Sequence, residues 1–166
     1  MTPLYWTLVL VALQRLAELA WAGRNAARLR RLGATEADAN GYPFFMALHA
    51  GWLASLALLV SAATPPAWPL LGLFAVLQAA RLWVILSLGR YWTTRVLSLP
   101  EAPLVQVGPY RWMRHPNYLL VTAEIAILPL AFGAVVIAVV FSVLNFVLIA
   151  RRISIEDRAL APRRKL

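Results

Sequence analysis

The sequence predicts an all-α integral membrane protein: one domain over residues 1–166, folded as a bundle of five transmembrane helices. Three observations carry that expectation. Hydrophobic residues make up 61% of the chain and charged residues only 14%, with a mean hydropathy of +0.69, whereas a soluble domain is about one-quarter charged. The apolar residues also fall in runs of membrane-spanning length. Finally, the basic residues are segregated between those runs.

A span needs about 20 apolar residues, because the hydrocarbon core is about 30 Å thick and a helix rises about 1.5 Å per residue. The first span covers about residues 3 to 22. Ala20-Trp21-Ala22 resembles a cleavage triplet, but no basic region precedes the run, and Arg15 and Glu18 interrupt it. It therefore reads as a retained membrane helix. The second and third spans, about 43 to 61 and 67 to 88, are joined by the uncharged turn "SAATPPAW". The last run, Tyr118 to Ala150, holds 33 residues and one charge, Glu124, which is too long for one span and short for two. The breakers Pro129 and Gly133 in "LPLAFG" leave either a kinked helix or a tight hairpin whose first arm begins near Pro116.

Charge decides between them. Fourteen of the 16 basic residues lie in segments 23 to 42, 89 to 117 and 151 to 166. Five spans with the N-terminus outside put all three segments on the cytoplasmic face; four would strand the basic tail on the wrong side. Spans 4 and 5 are thus expected as a tight hairpin, with the C-terminus cytoplasmic.

Composition also excludes functions. With no cysteine and two histidines, His49 and His115, disulfides, thiol nucleophiles and Cys-ligated zinc are ruled out, and no metal site is expected. The net charge of +9 alternates with apolar spans and does not form a soluble basic face, so anionic lipid and not nucleic acid is the expected counter-charge. No Gly-x-Gly-x-x-Gly loop is present to build a Rossmann-type site.

Seven of the polar residues within the spans stand out: Arg15 and Glu18, His49, Gln78 and Arg81, Glu124, and Asn145. In the five-span topology all sit nearer the cytoplasmic end. Intramembrane charges usually pair, and an isolated histidine is usually a satisfied packing residue. Their shared depth nonetheless predicts a polar cavity opening to the cytoplasm.

The loop between spans 3 and 4 carries Pro100, Pro103, Pro109 and Pro116, which predicts an ordered lid over the bundle. Taken singly, Trp92, Tyr110, Trp112 and Tyr118 fit a headgroup-level aromatic belt. Beyond span 5, "ARRISIEDRAL" continues as a helix leaving the membrane, with Arg152 and Glu156 four apart on one face. Basic before acidic is the weaker order for a local helix pair, so their spacing points to separate partners.

The order "GPYRWMRHPNY" (Gly108–Tyr118), then a membrane hairpin, then "RISIEDRAL" (Arg152–Leu160) resembles the isoprenylcysteine carboxyl methyltransferase (ICMT) family over about residues 102 to 160. "QRLAELAWAGRN" and "YPFFMALHAGW" resemble a small bacterial branch of it. The resemblance implies S-adenosylmethionine as methyl donor, in a cytoplasmic pocket formed by the loop and the emerging helix. By position, the cofactor contacts would be Pro103, Leu104, Val105, Tyr110, His115, Pro116, Asn117, Tyr118 and Glu156. Arg152 would be the catalytic residue facing a lipophilic substrate. Arg95 falls near another family cofactor position and is not among these contacts.

The pattern departs from prenylcysteine enzymes in having Asp157 as its second acid and a shorter segment after it. A small lipid acceptor with an acidic oxygen, such as an alkylpyrone or phenolic lipid, is therefore expected first, prenylcysteine second and a phospholipid amine third. The expected site is the bacterial inner membrane; the oligomeric state is left open. His115 reads as a cofactor-positioning donor or as a base. A small transporter should show discontinuous helices or inverted repeats, and neither is visible. A passive lipid-binding scaffold would leave the Arg152–Glu156 register to chance.

Overall fold

A computed structural model describes residues 2–100, 102 and 104–161. Five α-helices follow in order: α1 (Pro3–Arg31), α2 (Tyr42–Leu59), α3 (Trp68–Leu88), α4 (Pro116–Ala131) and α5 (Val135–Leu160). Proline occupies the first or second position of α1 to α4, where its fixed φ suits a helix start and its missing N–H costs nothing. α4 and α5 form the expected tight hairpin: Pro129 lies in the last turn of α4, and Gly133 at φ 68° reverses the chain.

Two boundaries depart from the sequence reading. α1 runs 29 residues, well past the apolar stretch, because "RNAARLRR" contains no breaker and extends the helix. A two-residue antiparallel ladder, β1 (Thr35–Glu36) with β2 (Leu97–Ser98), modifies the all-α expectation. It joins the loop after α1 to the loop after α3.

The distribution of side chains is that of a membrane protein. Leu4, Leu8, Trp52, Leu56, Ile125 and Leu128 fill the core, while Leu10, Leu58, Val136 and Phe146 stand at 62%, 81%, 76% and 68% exposure. Glu18, Arg81, Glu124 and Asn145 are buried instead. An apolar exterior over a charged interior suits lipid, not water. Among the described residues α2, α3 and α5 are long and apolar enough to cross a membrane. α1 is diluted by Gln14, Arg15 and Glu18, and α4 has 16 residues.

Polar ties hold the helices in register. Trp52 Nε1 donates to the Ile125 carbonyl at 3.2 Å, fixing α2 to α4. Asn25 Nδ2 donates to the carbonyls of Gly89 and Trp92 at 3.0 and 2.9 Å, fixing α1 to the end of α3.

Candidate active site

The site starts from the emerging end of α5. Arg152 and Glu156 lie one turn apart, and no direct pair forms between them; both reach Tyr118, in the first turn of α4. Arg152 Nε donates to the Tyr118 hydroxyl at 3.1 Å, and that hydroxyl donates to Glu156. Arg152 Nη2 also donates to the Thr94 carbonyl at 2.5 Å, and its guanidinium lies 4.7 Å from the centre of the Phe45 ring. Arg152 is thus buried among α2, α4 and the α3–α4 loop.

His115 immediately precedes α4 and stacks on Tyr118, with ring centres 5.4 Å apart. Its Nδ1 lies 3.7 Å from Glu156 and its Nε2 3.4 Å from Asp157. Both ring nitrogens therefore face carboxylates of α5. Tyr110 projects from a 3₁₀ turn, Gly108–Arg111. Burial, then the Glu156 charge, push its hydroxyl well above the usual tyrosine range, with Arg81 opposing, so it remains a protonated donor.

Gly108 explains the "GPY" of the motif. It adopts φ 56°, and a Cβ there would lie 2.2 Å from Ser87 Oγ and 3.3 Å from Trp83 Nε1. Only glycine lets the turn lie this close against α3. Trp112 follows it, packing edge-on to Trp83 with ring centres 6.1 Å apart.

Leu104, Val105, Tyr110, His115, Asn117, Tyr118, Arg152 and Glu156 all line one cavity of about 840 Å³. Pro116 sets the start of α4 without entering that wall, and Pro103 lies outside the described residues. Of the four aromatics read as a belt, Trp112 is exposed, whereas Trp92 is buried and Tyr110 and Tyr118 face the cavity, which does not suit a belt.

The same cavity reaches the intramembrane polar layer. Arg81 grips Glu18 with Nε at 2.8 Å and Nη2 at 2.7 Å, and Arg15 bonds Glu124 at 2.5 Å and Glu18 at 3.1 Å. Arg81 also contacts Glu124 at 3.3 Å. Two guanidiniums and two carboxylates thereby cancel across α1, α3 and α4. Arg15, Glu18, His49 and Arg81 face the cavity as the sequence predicts, whereas Gln78, Glu124 and Asn145 stand behind its wall.

The sequence reading passed over several contributors. The Thr94 carbonyl and Phe45 ring hold Arg152, and Glu36 holds Arg95 and Arg30 at 2.7 and 2.6 Å, with Arg95 over the Tyr42 ring at 4.0 Å. The "YPFF" aromatics at the head of α2 were the available signal for Phe45 and Tyr42. A backbone carbonyl leaves none.

The structure is thus that of a mainly helical membrane protein in which Arg152, Tyr118 and Glu156 meet in one cavity that the α3–α4 loop also lines. The sequence profile of the isoprenylcysteine carboxyl methyltransferase (ICMT) family matches residues 70–162, more than half of the chain. The chain also aligns with the "Uncharacterized protein YpbQ" of Bacillus subtilis (strain 168) at 39% identity, over 95% of this chain and 96% of that one. No solved structure matches. The chain belongs to the ICMT family and is a membrane methyltransferase.

Proposed function

We propose that the protein transfers a methyl group from S-adenosylmethionine to an acidic oxygen, enol, phenol or carboxylate, of a small lipophilic molecule. Convergence of Arg152 and Glu156 on the Tyr118 hydroxyl carries this reading. It puts an anion-orienting guanidinium and a carboxylate within one turn of α5, inside a cavity shared with apolar residues of α1 and α2.

The donor set fits the proposed cofactor. Its zwitterionic tail and ribose call for hydrogen-bonding groups, and its sulfonium for carboxylate and aromatic neighbours. Glu156, His115, Tyr110 and Tyr118 supply these, and the buried Asn117 Oδ1 has no partner among the described residues. Leu104 and Val105 line the same cavity beside them. When bound, S-adenosylmethionine supplies the electrophilic methyl group. Tyr118 and His115 fix Glu156, and Glu156 with Tyr118 fixes the cofactor end of the cavity. Arg152, held from three sides, orients the acceptor oxygen towards that end.

The acceptor would reach Arg152 laterally. Leu16 of α1 and Met46 of α2 line the cavity and are also 62% and 37% exposed, and in this proposal the apolar gap between these helices lies at membrane depth. In this proposal all five helices span, with the N-terminus outside and the site at the cytoplasmic face. α4 rises only about 24 Å, and the bilayer or its flanking residues would adjust to it.

The test is methyl transfer from labelled S-adenosylmethionine by detergent-purified protein to a panel of acceptors. An alkylpyrone or long-chain alkylphenol is expected to be labelled ahead of farnesylcysteine. Labelling of phosphatidylethanolamine alone would contradict the acidic-oxygen reading.

A further inference from the structure

The chain has two histidines, and the structure separates their roles. Both nitrogens of His115 face carboxylates of α5, at the cofactor end of the cavity in the reading above. His49 is different. Its Nδ1 lies 2.9 Å from the Phe45 carbonyl, and a carbonyl can only accept, so Nδ1 carries the proton and Nε2 the lone pair. Nε2 has no hydrogen-bond partner among the described residues, and the ring is half-buried in the cavity wall.

Its position relates it to Arg152. Phe45, which lies against the Arg152 guanidinium, and His49 are four apart on one face of α2, about 6 Å of helix. The charges acting on His49 are Arg15 and Glu18 from α1 and Arg81 from α3. Arg15 and Arg81 are closed on Glu18 and Glu124. Glu18 is fully engaged by them, and the Oε1 of Glu124, unpartnered among the described residues, is buried behind the cavity wall, out of reach of an acceptor.

We infer that His49 Nε2 is the general base for acceptors that arrive protonated, an assignment resting on the methyltransferase reading above. As the acceptor oxygen forms its bond to carbon, the sulfur–methyl bond breaks with its electron pair remaining on sulfur. The O–H proton passes to His49 Nε2, giving an imidazolium, and leaves from there to water at the loop end of the cavity. Arg152 holds the oxygen; His49 takes its proton.

Two acceptors with the same alkyl chain test this: a simple alkylphenol, and an alkyl-4-nitrophenol that is largely ionised at mildly alkaline pH. His49→Asn keeps a donor for the Phe45 carbonyl and deletes Nε2. It is expected to lower kcat/KM for the alkylphenol by about 10²-fold or more and to leave the pre-ionised nitrophenol within a fewfold. With S-adenosylhomocysteine bound, and at a pH where free probe is protonated, wild type should show the bound nitrophenolate absorption band and the variant should lose it. Equal losses with both acceptors, or none with either, would overturn the role of His49. His49→Gln provides the same comparison should the Asn variant not fold. Failure of the wild type to bind S-adenosylhomocysteine would overturn the underlying methyltransferase reading instead, and this inference with it.

Discussion

Arg152 and Glu156 meet through a third side chain: the Tyr118 hydroxyl accepts from Arg152 Nε at 3.1 Å and donates to Glu156. The two charged groups are therefore positioned together while keeping free atoms for different ligands. Arg152→Ala is expected to abolish turnover while changing S-adenosylhomocysteine affinity by no more than a fewfold. Arg152→Lys should also fail, because an ammonium cannot bond Tyr118 and the Thr94 carbonyl from one planar fork. Normal methylation by purified Arg152→Ala protein would remove Arg152 from the mechanism.

Glu156→Gln and Tyr118→Phe divide the other half of the pair. Glu156→Gln should lose cofactor binding, measured by titration. Tyr118→Phe should weaken it less and cost turnover as well, because Arg152 then loses one of its acceptors and Glu156 its donor. The reverse ranking would assign the cofactor to Tyr118.

The ion cluster answers to stability first. Arg81→Met leaves Glu18 with only Arg15 and Gln14, and breaking a buried pair typically costs about 3 to 5 kcal/mol. A large fall in the thermal midpoint of the detergent-solubilised protein is expected. Replacing Glu18 as well, in Arg81→Met with Glu18→Leu, should recover part of that loss, since one charge of each sign is then removed. No recovery would mean that the two side chains act independently.

Much of this was readable in the chain. The five helices, the hairpin at Pro129 and Gly133, and the meeting of the "RHPNY" and "RISIED" segments follow from hydropathy, breakers and charge segregation. The pairing of Arg15, Glu18, Arg81 and Glu124 follows from the expense of leaving charges alone in lipid. Two kinds of contact were hidden. The β1–β2 ladder and the Thr94 carbonyl use backbone atoms, which every residue type carries. The free Nε2 of His49 depends on a tautomer fixed by one carbonyl, so the sequence alone made it a packing residue.

The loop offers a prediction in pH. Burial alone would raise the Glu36 carboxyl, but hydrogen bonds and charge from Arg95 and Arg30 outweigh it and hold it below its usual 4.5. A depressed folded value means that the stabilisation is complete above the ordinary carboxylate range and is lost as pH falls through the lowered one. Limited proteolysis should find the 92–115 loop resistant at neutral pH and increasingly cut below about pH 4. Glu36→Gln should be cut at both. Equal resistance of wild type across that range would show that this network does not hold the loop.

The central claim is that Glu156, Tyr118, His115 and their neighbours form a cofactor pocket. Isothermal titration of the detergent-purified protein with S-adenosylhomocysteine tests it most directly. Saturable binding that Glu156→Ala abolishes and Arg152→Ala preserves is the predicted result; no binding to the wild type at high micromolar cofactor would contradict it.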